Sequence, residues 1–152
     1  MKLSTREDIE APITKVYSAA SNFTAFERHM RHRGVMIVAD ETAPLSGNGR
    51  RWSAQFTWRG RERDVEAELL SIEDERGYTI KSVSEGVVCH TAVDLVALSR
   101  TRTRMLVSLD LRPTTLSSRL LIQSLKLAKG RLTGRLKSRL GEFSRRVEKA
   151  AN

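Results

Sequence analysis

The sequence predicts an α+β protein in which a seven-stranded, curved antiparallel sheet grips a long C-terminal helix, with two short helices after the first strand. Two observations carry this prediction. The segment from Leu116 to Val147 has the apolar spacing of one long amphipathic helix, and six strand-like segments separated by turn residues precede it. A sheet with one polar face must cover its other face, and the terminal helix is the only predicted element long enough to do so.

The N-terminal part of the chain predicts one strand followed by two short helices. Residues 2–10 alternate weakly in polarity, and Ala11-Pro12 then supplies a strand end with proline at a helix start. The first helix is expected from Ile13 to Ala20. Asn22 is suited to cap a second helix, and Gly34 is suited to end it.

The remaining strands follow in meander order, with turn residues between them at hairpin spacing. They are Val35 to Ala39, Arg51 to Trp58, Arg61 to Ile72, Tyr78 to Val83, Val87 to Leu98 and Thr103 to Leu111. Pro44, Gly47 and Gly49 indicate a loop over Glu41 to Gly49. Pro113 stops the last strand.

The strongest periodic signal is an apolar stripe along the terminal helix, which is expected to lie on the sheet. Its members are Leu121, Leu125, Ala128, Leu132, Leu136, Leu140, Phe143 and Val147. Arg139 projects near the middle of this stripe. Its guanidinium either anchors an acid group of a ligand, or extends to solvent at the rim of the helix–sheet interface or pairs with a sheet carboxylate such as Asp94 or Asp110. The cost of burying an unpaired charge favours the second interpretation.

The net charge of +9 is concentrated at the C-terminus. Residues 114–152 hold ten Lys and Arg against Glu142 and Glu148, which gives +8, whereas residues 1–113 hold 17 basic and 16 acidic residues. A solvated helix face is the simpler interpretation. The alternative is a field that attracts an anionic surface, either RNA or a membrane.

Three glycines, Gly130, Gly134 and Gly141, share the opposite face of the terminal helix. Each costs on the order of 1 kcal/mol of helix stability relative to alanine. A helix held by its buried side tolerates such residues. Close approach by a second subunit in a homodimer, or by a phosphate backbone beside Lys137 and Arg119, would also explain them.

Length and composition place the chain in a broad class. The 152 residues fit one domain, and no stretch approaches the roughly 18 consecutive apolar residues of a membrane span. Charged residues occur within the first ten positions, where a signal peptide needs an apolar run. The single Cys89 cannot form an internal disulfide. These features predict a cytoplasmic protein.

The order of strand, two short helices, six strands and a long final helix resembles the START-like superfamily, also called polyketide cyclase or SRPBCC proteins. A local match lies within residues 3–26, where a strand ends in Ala-Pro and an apolar helix and a capped second helix follow. The matching residues are Ile9-Glu10-Ala11-Pro12, Val16-Tyr17 and Asn22-Phe23. The resemblance implies a helix-grip fold with an apolar cavity. The superfamily includes lipid carriers, cyclases, hormone binders and ribosome-associated proteins, without a shared catalytic set to carry over.

The chemical groups of the sequence indicate neither a metal nor a cofactor, and no catalytic residue is predicted. His29, His32 and Cys89-His90 form the only conceivable metal set, and their spacing does not fit a zinc motif. His90 has two interpretations. It is a pocket acid or base if its side of the strand faces the cavity, and a structural histidine, the favoured interpretation, if it does not.

These observations together predict a protein that binds a small apolar or amphipathic ligand between the sheet and the C-terminal helix, without covalent chemistry. A lipid, a polyketide and an aromatic metabolite are the expected ligand classes. The expected ligand-binding residues are Trp52, Phe56, Val65, His90, Met105, Val107, Leu132, Leu136 and Arg139. One alternative is a cyclase- or dehydratase-like enzyme that uses His90 or Arg139 in the same cavity. Another is docking on RNA, a ribosome or a membrane surface through the basic helix.

Overall fold

The computed structural model describes residues 1–40 and 49–152. The predicted loop over Glu41 to Gly49 therefore lies outside the described residues, except for Gly49. The elements are β1 Lys2–Ile9, α1 Ile13–Ala20, α2 Phe23–His32, β2 Met36–Ala39, β3 Arg51–Trp58, β4 Arg61–Glu73, β5 Gly77–Ser84, β6 Val87–Ser99, β7 Arg102–Pro113, α3 Leu116–Lys126 and α4 Lys129–Ala151.

The strands form one seven-stranded antiparallel sheet in the order β1-β7-β6-β5-β4-β3-β2, which confirms the predicted meander. The first strand closes the order by pairing with the last, so that Leu3 lies opposite Leu109 and Ile9 lies opposite Thr103. The N-terminal ammonium extends this pairing by donating to the Leu111 carbonyl at 2.8 Å. The first and last strands of the chain therefore lie side by side at one edge of the sheet.

The two short helices begin where the sequence predicts. Pro12, with φ −62°, precedes α1, and its fixed backbone angle suits a helix start. The Oδ1 of Asn22 accepts a hydrogen bond from the Ala25 backbone N–H at 3.1 Å, so Asn22 is the N-cap of α2. The positive φ of Gly34, 87°, fits the end of the second helix.

The long C-terminal helix is confirmed by α4, but the prediction that it runs without a break from Leu116 to Val147 is wrong, because two helices occupy that segment. The backbone N–H groups of Leu127 and Ala128 bond three residues back, and Ala128 leaves helical geometry at φ −104° and ψ 14°. The start of α3 is fixed independently by the Thr115–Ser118 capping box and by the Thr114 backbone N–H, which donates to the Gly86 carbonyl at 2.8 Å. The break lets α3 pack on β7 and α4 pack on β1.

The buried residues that the structure describes form two apolar clusters. The first joins β1, β6 and β7 to α1 and α4, and it contains the buried residues Ile9, Ala11, Val16, Val93, Leu95, Met105, Leu140 and Val147. The second joins α2 to β2, β3 and β4 around Phe23, Ile37, Trp52 and Leu69. The end of α4 is held to β1 by the Glu148 carboxylate, which accepts from the Glu10 backbone N–H at 2.8 Å. Within residues 1–40 and 49–152, no helix combines the length and apolar character that a membrane crossing needs.

Candidate ligand-binding cavity

A cavity of about 500 Å³ lies between α2 and the face of strands β2 to β6 that carries Trp52 and Ala54, which we call the inner face. The described residues that line it are Ala20, Phe23, Phe26, Met30, Val35, Ile37, Trp52, Ala54, Phe56, Val65, Ala67, Tyr78, Ile80, Ser82, Thr91 and Val93. The volume falls in the usual range for small-molecule sites, which are mostly apolar and largely preformed.

The sheet register explains why this space is not filled by side chains. Ile37, Ala54 and Val65 are directly opposite one another on three neighbouring strands, so Ala54 stands between two larger residues. Ala67 and Ser82 are likewise paired across β4 and β5. Cross-strand neighbours share a face and lie within contact distance. Small residues at these inner positions therefore leave a gap that the larger residues around them enclose.

The opposite wall is the apolar side of α2. Phe23, Phe26 and Met30 recur at helical spacing and line the cavity. Phe23 is buried, and its ring meets Trp52 and Tyr78 edge-on with centroids 5.4 and 5.1 Å away. Phe26, by contrast, is 53% exposed although it lines the cavity. The cavity therefore reaches the surface beside the Phe26 ring.

A buried carboxylate holds this wall in place. Glu27 is only 5% exposed, and its Oε2 accepts from the Nη2 of Arg50 at 2.6 Å and from the Nε1 of Trp52 at 3.1 Å. The Arg50 guanidinium also lies 5.7 Å from the Phe23 ring centroid and 5.5 Å from that of Trp52. Glu27 thus ties α2 to β3 and orients two aromatic rings of the cavity. It was missed at the sequence level, although a glutamate at helical spacing between Phe23 and Met30 was the available signal.

The polar groups at the cavity are neutral. The Tyr78 hydroxyl donates to the Ala20 carbonyl at 2.9 Å, and burial raises the pKa of Tyr78 to about 12. Ser82 and Thr91 add two hydroxyl groups to the lining. Cys89 lies beside Thr91, with its Sγ 3.8 Å from the Thr91 Oγ1, and burial raises the pKa of its thiol. No charged side chain belongs to the lining in the part of the chain that the structure describes.

Comparison with known proteins supports the fold through structure alone. No protein-family model matches the chain, and no curated protein matches it either. Among solved structures, norcoclaurine synthase from Thalictrum flavum is 10% identical with a TM-score of 0.73, covering 100% of this chain and 96% of that one. The Zhui aromatase/cyclase from Streptomyces sp. R1128 is 12% identical with a TM-score of 0.69, covering 100% and 98%.

The protein TTHA0849 from Thermus thermophilus is 17% identical with a TM-score of 0.70, and each chain is covered completely. The chain shares the helix-grip fold of these structures. These structures support the fold that the sequence resemblance implies. Their sequence identities are too low to transfer a function to this chain. In this helix-grip protein the cavity nevertheless lies under α2 rather than under the terminal helix, because no described residue of α3 or α4 lines it.

The predicted ligand-binding residues divide into separate groups. Trp52, Phe56 and Val65 line the cavity together. Met105 is buried in the first apolar cluster, and Val107 packs against that cluster, so both contribute to the core beneath α4. The remaining four predicted residues, His90, Leu132, Leu136 and Arg139, are absent from the described lining.

His90 is on the opposite side of the sheet from the cavity. It lies between Lys81 and Asp110 in the strand register and is exposed, whereas its neighbour Thr91 points inward. The position rules out a pocket acid or base at His90. The other members of the conceivable metal set are also dispersed, since His29 and His32 are exposed on α2 and Cys89 is on the inner face. The described residues contain no group of three or more metal-ligating side chains.

The α4 residues Leu132 and Leu136 are half-buried, and Arg139 is exposed. Arg139 forms no ion pair with a described residue, and Asp110 is instead paired with Arg112 at 3.1 Å. The guanidinium remains in water, which avoids the desolvation cost of a buried charge. An anchoring role for Arg139 inside the cavity is therefore not supported by its position.

Replacing Glu27 with alanine is expected to lower the free energy of unfolding by about 3 kcal/mol, because it removes the buried carboxylate from Arg50 and from the Trp52 N–H. Urea unfolding followed by tryptophan fluorescence measures the change. Glu62→Ala is the matched control, since Glu62 is exposed on β4, and its effect should stay within about 0.5 kcal/mol. Equal unfolding midpoints for the two variants would contradict the anchoring role of Glu27.

Tyr78→Phe is expected to cost about 1 kcal/mol at pH 8, because the hydrogen bond to the Ala20 carbonyl is lost. The pKa of Tyr78 is raised from 10.0 to about 12 in the folded protein. Above pH 10 the unfolded chain ionises first, so wild-type stability should fall by about 1.4 kcal/mol per pH unit relative to the phenylalanine variant.

The stability advantage of the wild type over Tyr78→Phe should consequently vanish by pH 11. Urea unfolding of both proteins at pH 8 and pH 11 measures this difference in the free energy of unfolding. The ionisation of every other group is common to the two proteins, so its contribution cancels. A difference that is the same at both pH values would show that the Tyr78 hydroxyl is not held in a buried, protonated state.

Proposed function

We propose that the protein binds a small, uncharged, apolar or amphipathic molecule in the cavity between α2 and the sheet. The observation that carries this proposal is the lining itself, which combines about 500 Å³ of space with aromatic and aliphatic walls. Burial of apolar ligand surface contributes roughly 25 cal/mol per Å², so such a cavity can hold a ligand without covalent chemistry. As part of the same proposal we place the protein in the cytoplasm, where a reducing environment preserves the free thiol of Cys89.

The absence of charge in the described lining selects against ionised ligands. A carboxylate or an amine moved from water into this lining would lose its hydration without gaining an opposite charge. The hydroxyl groups of Ser82 and Thr91 can instead donate to or accept from a carbonyl or a hydroxyl group. The preferred ligand therefore has an apolar body and one or two uncharged polar groups.

The aromatic residues favour a ligand that contains rings. Five aromatic side chains, Phe23, Phe26, Trp52, Phe56 and Tyr78, surround the space. Aromatic pairs gain about 0.5–1.5 kcal/mol beyond the burial of their area, and flat faces pack best against flat molecules. We therefore propose an aromatic or polycyclic metabolite in preference to a straight acyl chain.

Binding is favoured over a cyclase-like reaction by the protonation of the cavity groups. General acid–base catalysis works best when the pKa of the group lies near the working pH. Tyr78, which lines the cavity, has a pKa of about 12. The thiol pKa of Cys89, which lies beside the lining residue Thr91, is also raised, so both groups hold their protons at neutral pH. The similarity to an aromatase/cyclase and to norcoclaurine synthase concerns the fold, and it keeps the enzyme as the second candidate.

Filling the cavity tests the proposal. Ala54→Leu places extra atoms between Ile37 and Val65, where the open space accepts them, and it should weaken binding of the uncharged fluorescent probe N-phenyl-1-naphthylamine by at least about tenfold. Ala92→Leu is the control, because Ala92 is on β6 beside the inward Val93 and therefore faces the outer side of the sheet. Circular dichroism establishes that each variant remains folded.

Thr91→Leu provides a second filled cavity from another strand. If both filled variants bind the probe as tightly as Ala92→Leu does, the probe occupies a different surface and the proposed site is wrong. If the wild type enhances the fluorescence of the probe no more than an unrelated folded protein does, the proposed binding function itself is contradicted.

A further inference from the structure

One side of α3 presents leucine side chains to solvent. Leu116 is 73% exposed, Leu120 is 60% exposed and Leu127 is 92% exposed. They lie at positions i, i+4 and i+11, which fall on one face of a helix of 3.6 residues per turn. We call these three residues the leucine face. The opposite side of α3 is packed on the protein, where Ser118 and Ile122 are buried.

Isolated exposed apolar residues are common, whereas several leucines aligned on one helical face indicate an interaction surface. The described chain contains ten large hydrophobic residues that are exposed, and three of them belong to this face. Leu127 extends this face, because it is the C-cap of α3 at the break before α4 and its side chain is almost fully exposed. Packing within the protein therefore does not account for the leucine face.

The surroundings of the leucine face are basic. Arg119 and Lys126 lie on α3 beside the leucines, and Lys129 and Arg131 follow at the start of α4. The helix α3 contains no acidic residue. The ten basic residues of the segment 114–152 are all exposed, and none forms an ion pair with a described residue. The leucine face is thus set in a field of uncompensated positive charge.

An apolar face with basic flanks matches one chemistry of partner, the surface of an anionic bilayer. Interfacial helices place leucines at the boundary of headgroups and acyl chains, while lysines and arginines meet the phosphates. RNA would satisfy the charges but would leave the leucines in water. A second copy would cover the leucines but would bring two segments of net charge +8 together, which repel one another.

We propose that α3 docks the protein on the surface of a membrane rich in anionic phospholipid. Leu116, Leu120 and Leu127 enter the interface, and Arg119 and Lys126 contact lipid phosphates. Each basic residue near such a surface strengthens the attraction, and screening by salt weakens it. The surface is separate from the cavity, since no described residue of α3 lines it. The proposal therefore holds or fails independently of the cavity ligand.

Flotation of the full chain with lipid vesicles tests the proposal. The wild type should bind vesicles of phosphatidylcholine with about 30% phosphatidylglycerol at least about tenfold more strongly than pure phosphatidylcholine vesicles, and about 0.5 M NaCl should reduce the binding. The double variant Leu120→Ser/Leu127→Ser should lose at least about tenfold in vesicle affinity. Its folding is checked by circular dichroism, and the exposure of both residues predicts that it is retained.

Leu98→Ser is the matched control, because Leu98 is an exposed leucine on β6, away from α3, and its substitution should leave vesicle binding unchanged. Wild-type binding that is equal for charged and uncharged vesicles, or a double variant that binds as the wild type does, overturns the proposal. Binding of labelled single-stranded RNA more tightly than anionic vesicles, with no loss in the leucine variant, would replace the membrane with RNA. A concentration-dependent dimer that the leucine substitutions abolish would replace it with a second copy.

Discussion

The buried carboxylate of Glu27 joins α2 to β3, and the wall of the cavity depends on this contact. A single oxygen atom receives the Arg50 guanidinium at 2.6 Å and the Trp52 indole N–H at 3.1 Å, so a helix and a strand are joined through one acceptor. A buried charge is tolerated only when its hydrogen-bonding capacity is met, which fixes the geometry of all three side chains. Within the described residues no buried side-chain nitrogen or oxygen atom lacks a partner. Because α2 is held by this contact, small inner residues such as Ala54 can leave space beneath it.

The sheet was predictable because alternation is a local signal. Trp52, Ala54, Phe56 and Trp58 alternate with polar residues, and this pattern sets the face of β3 without knowledge of any other strand. The caps were predictable for the same reason, since Asn22 acts on a backbone group three residues away. The apolar lining from β3 and β4 follows directly from this alternation.

The failures concern features that depend on distant contacts. The apolar stripe of the C-terminal segment continues from Leu125 through Ala128 to Leu132, so the periodicity shows no break. The break arises because α3 is fixed to the β5–β6 turn and α4 to β1. In the strand around His90, odd-numbered and even-numbered positions both carry apolar residues. The local sequence therefore does not show which of them face inward. The position of the cavity under α2 depends on the Glu27 contact, which joins residues 23 positions apart.

Two surfaces with opposite chemistry result from this arrangement. The inner face of β2 to β6 is uncharged where its described residues line the cavity, whereas the C-terminal segment carries +8 and presents exposed leucines along α3 and at its C-cap. The separation of the basic segment from the cavity keeps the cavity selective for uncharged ligands, because basic side chains near the cavity would favour anionic ligands.

The location of the bound molecule is the most direct test of this account. A crystal structure of the protein soaked with N-phenyl-1-naphthylamine should show the probe between α2 and the inner face, in contact with Phe56 and Thr91. Density for the probe against Leu132 and Leu136 under α4 would contradict the account. A collapsed interior in which the side chains of α2 fill the space would contradict it as well.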